Sequence, residues 1–99
     1  MKVKVTVLSE NSVFSNIGAI AEHGWSAYIE TEHGNYLFDT GQGKALLNNA
    51  RVFQKDLSGK MNIERLGVSH CTGFEVGARL AEQFGSKFFY CNVGTVVEI

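Results

Sequence analysis

The chain has 99 residues, nine Lys plus Arg against ten Asp plus Glu, and a formal net charge of −1. That length suits one domain and no linker-joined second, and the balanced charge offers nucleic acid no basic patch. With 44% apolar and 11% aromatic residues the composition is not that of a disordered chain, and no apolar run reaches the roughly 20 residues of a membrane span.

Met1 to Leu8 alternates Val3, Val5 and Val7 with Lys2, Lys4 and Thr6. This predicts a strand with the valines on its buried face, and no signal peptide, which would need an unbroken apolar segment. Ser9 to Gly24 has no clean period and reads as a long loop, a feature that in small domains is functional or interfacial. Trp25 to Thr31 alternates again, with Trp25, Ala27 and Ile29 on one face. Glu32-His33-Gly34-Asn35 reads as a hairpin turn and Tyr36-Leu37-Phe38 as the returning strand.

That strand runs into Asp39-Thr40-Gly41-Gln42-Gly43, followed by Leu46, Leu47, Ala50 and Phe53 at helical spacing, with Asp39 or Thr40 as the expected N-cap. Asp56 to Asn62 is a polar connection and Ile63 to Ser69 a short buried strand. Thr72-Gly73-Phe74-Glu75 has the capping-box form, and Phe74, Gly77, Ala78, Ala81 and Phe84 share one face of the helix behind it. Glu75 and Arg79 form an i, i+4 pair, and Gly85 is a stop signal. Lys87 to Cys91 reads as a strand, Asn92-Val93-Gly94 as a turn and Thr95 to Ile99 as a last strand. The predicted order is β-ββ-α-β-α-ββ, an α/β domain with a mixed sheet over residues 1–99. A strand–turn–helix unit occurs twice, once ending its strand at Asp39 and once at His70.

Strand ends that lead into helices are the usual place for sites in α/β sheets. A carboxylate and an imidazole at two such ends can form an acid/base pair or hold a metal. Each also has a plainer reading: Asp39 as a turn-ordering cap, His70 as a hydrogen-bonded loop residue. His23, at the end of the long loop, points into the same cleft or simply into solvent, and His33 in the hairpin turn faces solvent. No two histidines have the i, i+2 or i, i+4 spacing of a recognisable metal site. Gly41-Gln42-Gly43-Lys44 offers backbone N–H groups to an anion without being a Walker A loop. Cys71 follows the helix-preceding His70, but neighbours on extended backbone point apart, which disfavours a Cys–His nucleophile pair. Two cysteines, Cys71 and Cys91, are too few for a disulfide scaffold and suggest a reducing cytoplasm.

Glu22-His23-Gly24-Trp25-Ser26, Tyr28-Ile29-Glu30, Tyr36 to Gln42 and Leu46 to Ala50 together resemble the N-terminal part of metallo-β-lactamase-fold hydrolases. The likeness is to the branch described as dihydropterin ribofuranosylaminobenzene phosphate synthase-like. Ser69-His70-Cys71-Thr72-Gly73-Phe74, Ala78 to Ala81, and Phe88-Phe89-Tyr90 with Gly94-Thr95 resemble the same branch's C-terminal end. Residues 1–58 correspond to the first part and 63–99 to the second, with Gly59 to Asn62 at the junction of a large internal deletion. The family's His-x-His-x-Asp-His motif, which supplies most of its metal ligands, is absent from the sequence.

The resemblance implies Asp39 as the strand-end aspartate that orders the site, His70 as the last metal-binding histidine and His23 as a loop residue near the cleft. It implies zinc or another divalent metal, and metal-dependent hydrolysis with Asp39 and His70 as the catalytic pair. The metal would be held by His70, helped by Asp39 and His23, and the one ligand that the resemblance carries over falls short of a three- or four-ligand zinc shell. A non-catalytic self-associating or partner-binding module of the same fold is therefore the alternative. The family fold has four layers, helix–sheet–sheet–helix. A shortened chain with one sheet would leave one sheet face apolar, so a homodimer that rebuilds the sandwich is expected.

Overall fold

The computed structural model describes residues 2–14, 18–55, 57, 63–69 and 72–98. The sheet starts with three antiparallel strands, β1 (Lys4–Ser9), β2 (Ser26–Thr31) and β3 (Gly34–Phe38). Two parallel strands follow, β4 (Arg65–Val68) and β5 (Phe88–Tyr90), giving one five-stranded mixed sheet in the order β1-β2-β3-β4-β5. Helix α1 (Leu46–Val52) connects β3 to β4 and α2 (Phe74–Phe84) connects β4 to β5. The repeated strand–turn–helix unit is thus two successive crossovers stepping the same way across the sheet. Crossovers of one hand that step one way put both helices on the same side.

The register fixes which side that is. Thr6, Tyr28, Leu37, Leu66 and Phe88 form one cross-strand row. Leu8, Tyr28, Leu37, Leu66 and Val68 are buried in one cluster with Ala50 of α1 and Ile63, and Leu80 and Phe84 of α2 pack on it. The opposite side carries Val5, Ile29, Tyr36 and Arg65 in one row and Val7, Ala27, Phe38, Gly67 and Phe89 in the next. No helix covers it.

The valines of β1 therefore correct the sequence reading. Val3, Val5 and Val7 are 50%, 54% and 44% exposed. Alternation is right, but the covered face is the other one: Leu8 lies with Thr6 on the helix side by the same alternation, and the register shift between Val7 and Ser9 turns Ser9 inward beside it.

Three local expectations also differ. The N-cap of α1 is Ala45, not Asp39 or Thr40, and Leu47 is exposed beside a groove. Gly73, with φ +87°, is the N-cap of α2 and makes no side-chain cap bond, so the Thr72–Glu75 capping box is not formed. Thr72 uses its hydroxyl elsewhere. The expected strand at Thr95 to Ile99 is not a strand over 95–98, where Val96 is 80% exposed, and Ile99 lies outside the described residues. The hairpin forms where expected, but its loop is Glu32-His33 alone, with Gly34 and Asn35 already paired in β3; the Gly85 stop (φ +57°) is as expected, and Arg79 reaches Glu75 at 3.9 Å. No helix among the described residues is long and apolar enough to cross a membrane.

Candidate functional site

Asp39 sits where β3 ends beside its parallel neighbour β4, and its backbone adopts φ +62°, a left-handed conformation that Asp tolerates better than most residues. Two backbone bonds hold it there. Its N–H donates to the Gly67 carbonyl at 2.5 Å, and its own carbonyl accepts the Ser26 hydroxyl at 2.6 Å. The turned backbone aims the carboxylate across to the β4–α2 turn. Oδ1 accepts the Thr40 N–H at 2.9 Å and the Thr72 hydroxyl at 2.8 Å, and Oδ2 accepts the Ser69 hydroxyl. Thr40 and Thr72 hydroxyls are 2.9 Å apart. Thr40 Oγ1 also donates to the Gly41 carbonyl at 3.3 Å. One carboxylate so ties together the two strand–helix turns that the sequence repeats.

An ionised carboxylate has about four acceptor positions. Three of the Asp39 positions are used by its neighbours, which leaves about one for a ligand. Asp39 is thus a structural knot with little spare coordinating capacity.

His70 and Cys71 lie outside the described residues; their chain neighbours Ser69 and Thr72 are the two side chains that bond Asp39. His23 is exposed at the end of the long loop, and His33 is exposed in the hairpin turn. Among the described residues no group of three His, Cys, Asp or Glu is placed to hold a metal ion. Cys91 is a free, half-buried thiol.

The anion expected at Gly41 to Lys44 is supplied by the chain itself. Glu22 reaches in from the long loop, with Oε2 accepting Gln42 N–H at 3.0 Å and Oε1 accepting Lys44 and Ala45 N–H at 2.9 and 3.2 Å. Gly41, at φ +60°, is required here. A Cβ there would come within 2.5 Å of Ser9 Oγ and 2.9 Å of Glu22 Oε2. The N–H donors that precede α1 are therefore already satisfied by a carboxylate 20 or more residues upstream.

The same loop is pinned a second time by Asn49 of α1, only 4% exposed. Its Nδ2 donates to Leu8 and Ile20 carbonyls, both at 2.8 Å, and its Oδ1 accepts Ile20 N–H at 2.7 Å. Glu22, Asn49, Ser69 and Thr72 were not singled out as functional partners from sequence. The first three carry no spacing signal, and Thr72 carried a misleading one.

Between α1 and α2 runs an apolar groove of about 420 Å³. Leu46, Leu47, Leu57, Val76, Leu80 and Phe84 line much of it. On the far side of the sheet, Phe38 and Phe89 meet edge to face at 5.8 Å over Gly67, and the Arg65 guanidinium stacks on Phe89 at 4.4 Å. The chain matches no protein-family model and no curated protein sequence.

Proposed function

We propose that this chain is a non-catalytic, self-associating module of a reduced metallo-β-lactamase-like architecture, in which two copies pack sheet on sheet as a homodimer. The observation that carries the reading is the helix-free side of the sheet. It presents three valines about half exposed and half-buried Ile29, Phe38 and Phe89 around buried Ala27 and Tyr36, and Arg65 is its one formal charge in the two central rows. Five strands at about 4.8 Å spacing and roughly 17 Å length give about 400 Å² in projection, which side-chain relief raises toward the roughly 800 Å² per partner of a standard interface. A second sheet at about 10 Å would restore the helix–sheet–sheet–helix order. A reducing cytoplasm is the setting proposed for it.

The test is sedimentation velocity at micromolar concentration, with Ile29→Lys as the variant. Ile29 faces the open side from the second strand, so the lysine leaves the helix-side core untouched. A dimer that the substitution converts to monomer, with unchanged far-UV circular dichroism, supports the reading. A wild-type monomer refutes it.

The left-handed backbone of Asp39 at a strand C-terminal end favours a second reading, metal-dependent hydrolysis with a divalent metal such as zinc held by His70 and helped by Asp39 and His23. Strain of this kind gathers at functional sites. Bound zinc would lower the pKa of a water to make the nucleophile. Elemental analysis of protein purified without added zinc decides it: stoichiometric zinc lost in His70→Ala supports catalysis, and zinc-free wild-type protein rejects it.

A further inference from the structure

We infer that β1 is a pairing edge for a second copy of this chain, joined β1 to β1 in antiparallel register about a two-fold axis through Val5. β1 is the terminal strand of the sheet. Among the described residues, the backbone of residues 3–7 makes no hydrogen bond beyond its ladder with β2. Edges of natural sheets are blunted by proline, inward charges, short length or bulges. This edge has no proline; it carries one charge, Lys4, on the helix side, and its register shift falls after Val7. Residues 4–7 are therefore a regular edge with no further backbone bond among the described residues, alternating Lys4 and Thr6 with Val5 and Val7.

The sequence then selects the register. A two-fold axis normal to the sheet makes one residue its own partner. Centred on Lys4, it sets Lys4 against Lys4; centred on Val3, it sets Lys2 against Lys4. Like charges directly opposite are destabilising. Centred on Thr6, the pairing runs onto the shifted segment at Leu8. Centred on Val5, it pairs Val5 with Val5, Val3 with Val7 and Lys4 with Thr6, and ends at Val7 where the regular strand ends. The Val-Lys-Val-Thr-Val segment is self-complementary in this one arrangement. The product is a continuous ten-stranded sheet with both helix layers on the same side.

This contact uses a different surface from sheet-on-sheet packing and does not depend on it. Its two-fold is normal to the sheet, whereas that of stacked faces lies parallel to it. The two are also separable by experiment, because Lys4 and Thr6 project on the helix side, away from any stacked partner.

The test mixes two chains, Lys4→Cys and Thr6→Cys, each with Cys71→Ser and Cys91→Ser, under mild oxidation. Opposed residues place their Cα atoms about 4.5–5.5 Å apart, within the range of a disulfide. The expected result is a covalent dimer in the mixture, well above that in either chain alone, on a non-reducing gel. Val5→Cys in the same background should cross-link by itself, and a Val3→Cys chain, about 13 Å from its own copy in this register, should not. A mixture that cross-links no more than its separate chains, with folded chains by circular dichroism, overturns the edge pairing and leaves sheet-on-sheet packing untouched. Cross-linking of Val3→Cys alone overturns the register.

Discussion

Replacing Asn49 with alanine removes a side chain that is 4% exposed and holds three backbone groups, Ile20 N–H, Ile20 C=O and Leu8 C=O. A net hydrogen bond is worth about 1 kcal/mol, and a buried group left unpaired costs about 1–3 kcal/mol. Water can reach the loop carbonyl once the side chain is gone, and alanine improves helix propensity by roughly 0.5 kcal/mol. The expected loss is about 2–3 kcal/mol. For a chain of this size, with a total stability of about 5–15 kcal/mol, that is a large fraction. Urea unfolding followed by far-UV circular dichroism should show the midpoint fall with an unchanged slope. Thermal unfolding should fall by about 10–20 °C. Asn48→Ala, one residue away, removes bonds to the Gly18 carbonyl and to Asn49 Oδ1, which keeps its Ile20 N–H donor, and should cost less than about 1 kcal/mol. If Asn49→Ala falls within about 0.5 kcal/mol of the original chain, the loop at residues 10–25 is not anchored through this amide.

Gly67→Ala would set a Cβ 2.5 Å from Phe89 Cζ, so the ring must leave Gly67 and loosen its contacts with Phe38 and Arg65; the expected cost is about 1–3 kcal/mol, read by urea midpoint and loss of near-UV signal. Lys55 donates to Glu30 at 2.7 Å, and that bond raises its pKa above the ordinary 10.5. A pKa raised by folding adds stability that is complete below the unfolded value and disappears as pH rises through the folded one. The urea midpoint should therefore drop above about pH 10.5, and Lys55→Met should flatten that part of the profile. Asp39→Asn keeps the left-handed preference and the Oδ1 acceptor, whereas Asp39→Ala strands the Thr72 and Ser69 hydroxyls and the Thr40 N–H. A loss below about 1.5 kcal/mol for Asn and about 2–4 kcal/mol for Ala is expected; equal losses by denaturant titration would mean the carboxylate knot does not hold the two turns together.

The crossovers and the hairpin were readable because they rest on local signals: period-2 alternation, a two-residue polar loop, helical spacing and Gly85. Orientation was not. Alternation in Val3, Val5 and Val7 gives two faces but not which is covered, and Lys opposite Val made the valines look like the core side. The pairing with β2 decides otherwise, setting Thr6 beside the core residue Tyr28 and Val5 and Val7 beside Ile29 and Ala27 on the far side, and nothing in the residues of β1 announces it. The Thr72 capping box failed for a related reason. Its hydroxyl has one proton, and Asp39, 33 residues upstream, takes it in preference to the helix end. Glu22 likewise satisfies donors more than 20 positions away. Side-chain bonds of this span have no sequence period, so the partners of Asp39 could not be read, although Asp39 itself could.

These long-range bonds bear on where function lies. A cleft that works by capturing a charged ligand needs polar groups waiting for it. Here the N–H donors after Gly41 already hold Glu22, the Asp39 carboxylate already holds three donors, and the Asn49 amide is fully engaged. Among the described residues no buried side-chain nitrogen or oxygen lacks a partner. The unspent capacity is elsewhere: the backbone edge of β1, the valines beside it and the uncovered sheet behind them. Hydrogen-bonding groups at a strand edge and apolar area on a sheet face are satisfied by another strand and another sheet. Among the described residues, the strand edge and the sheet face are the surfaces that the proposed assembly would use.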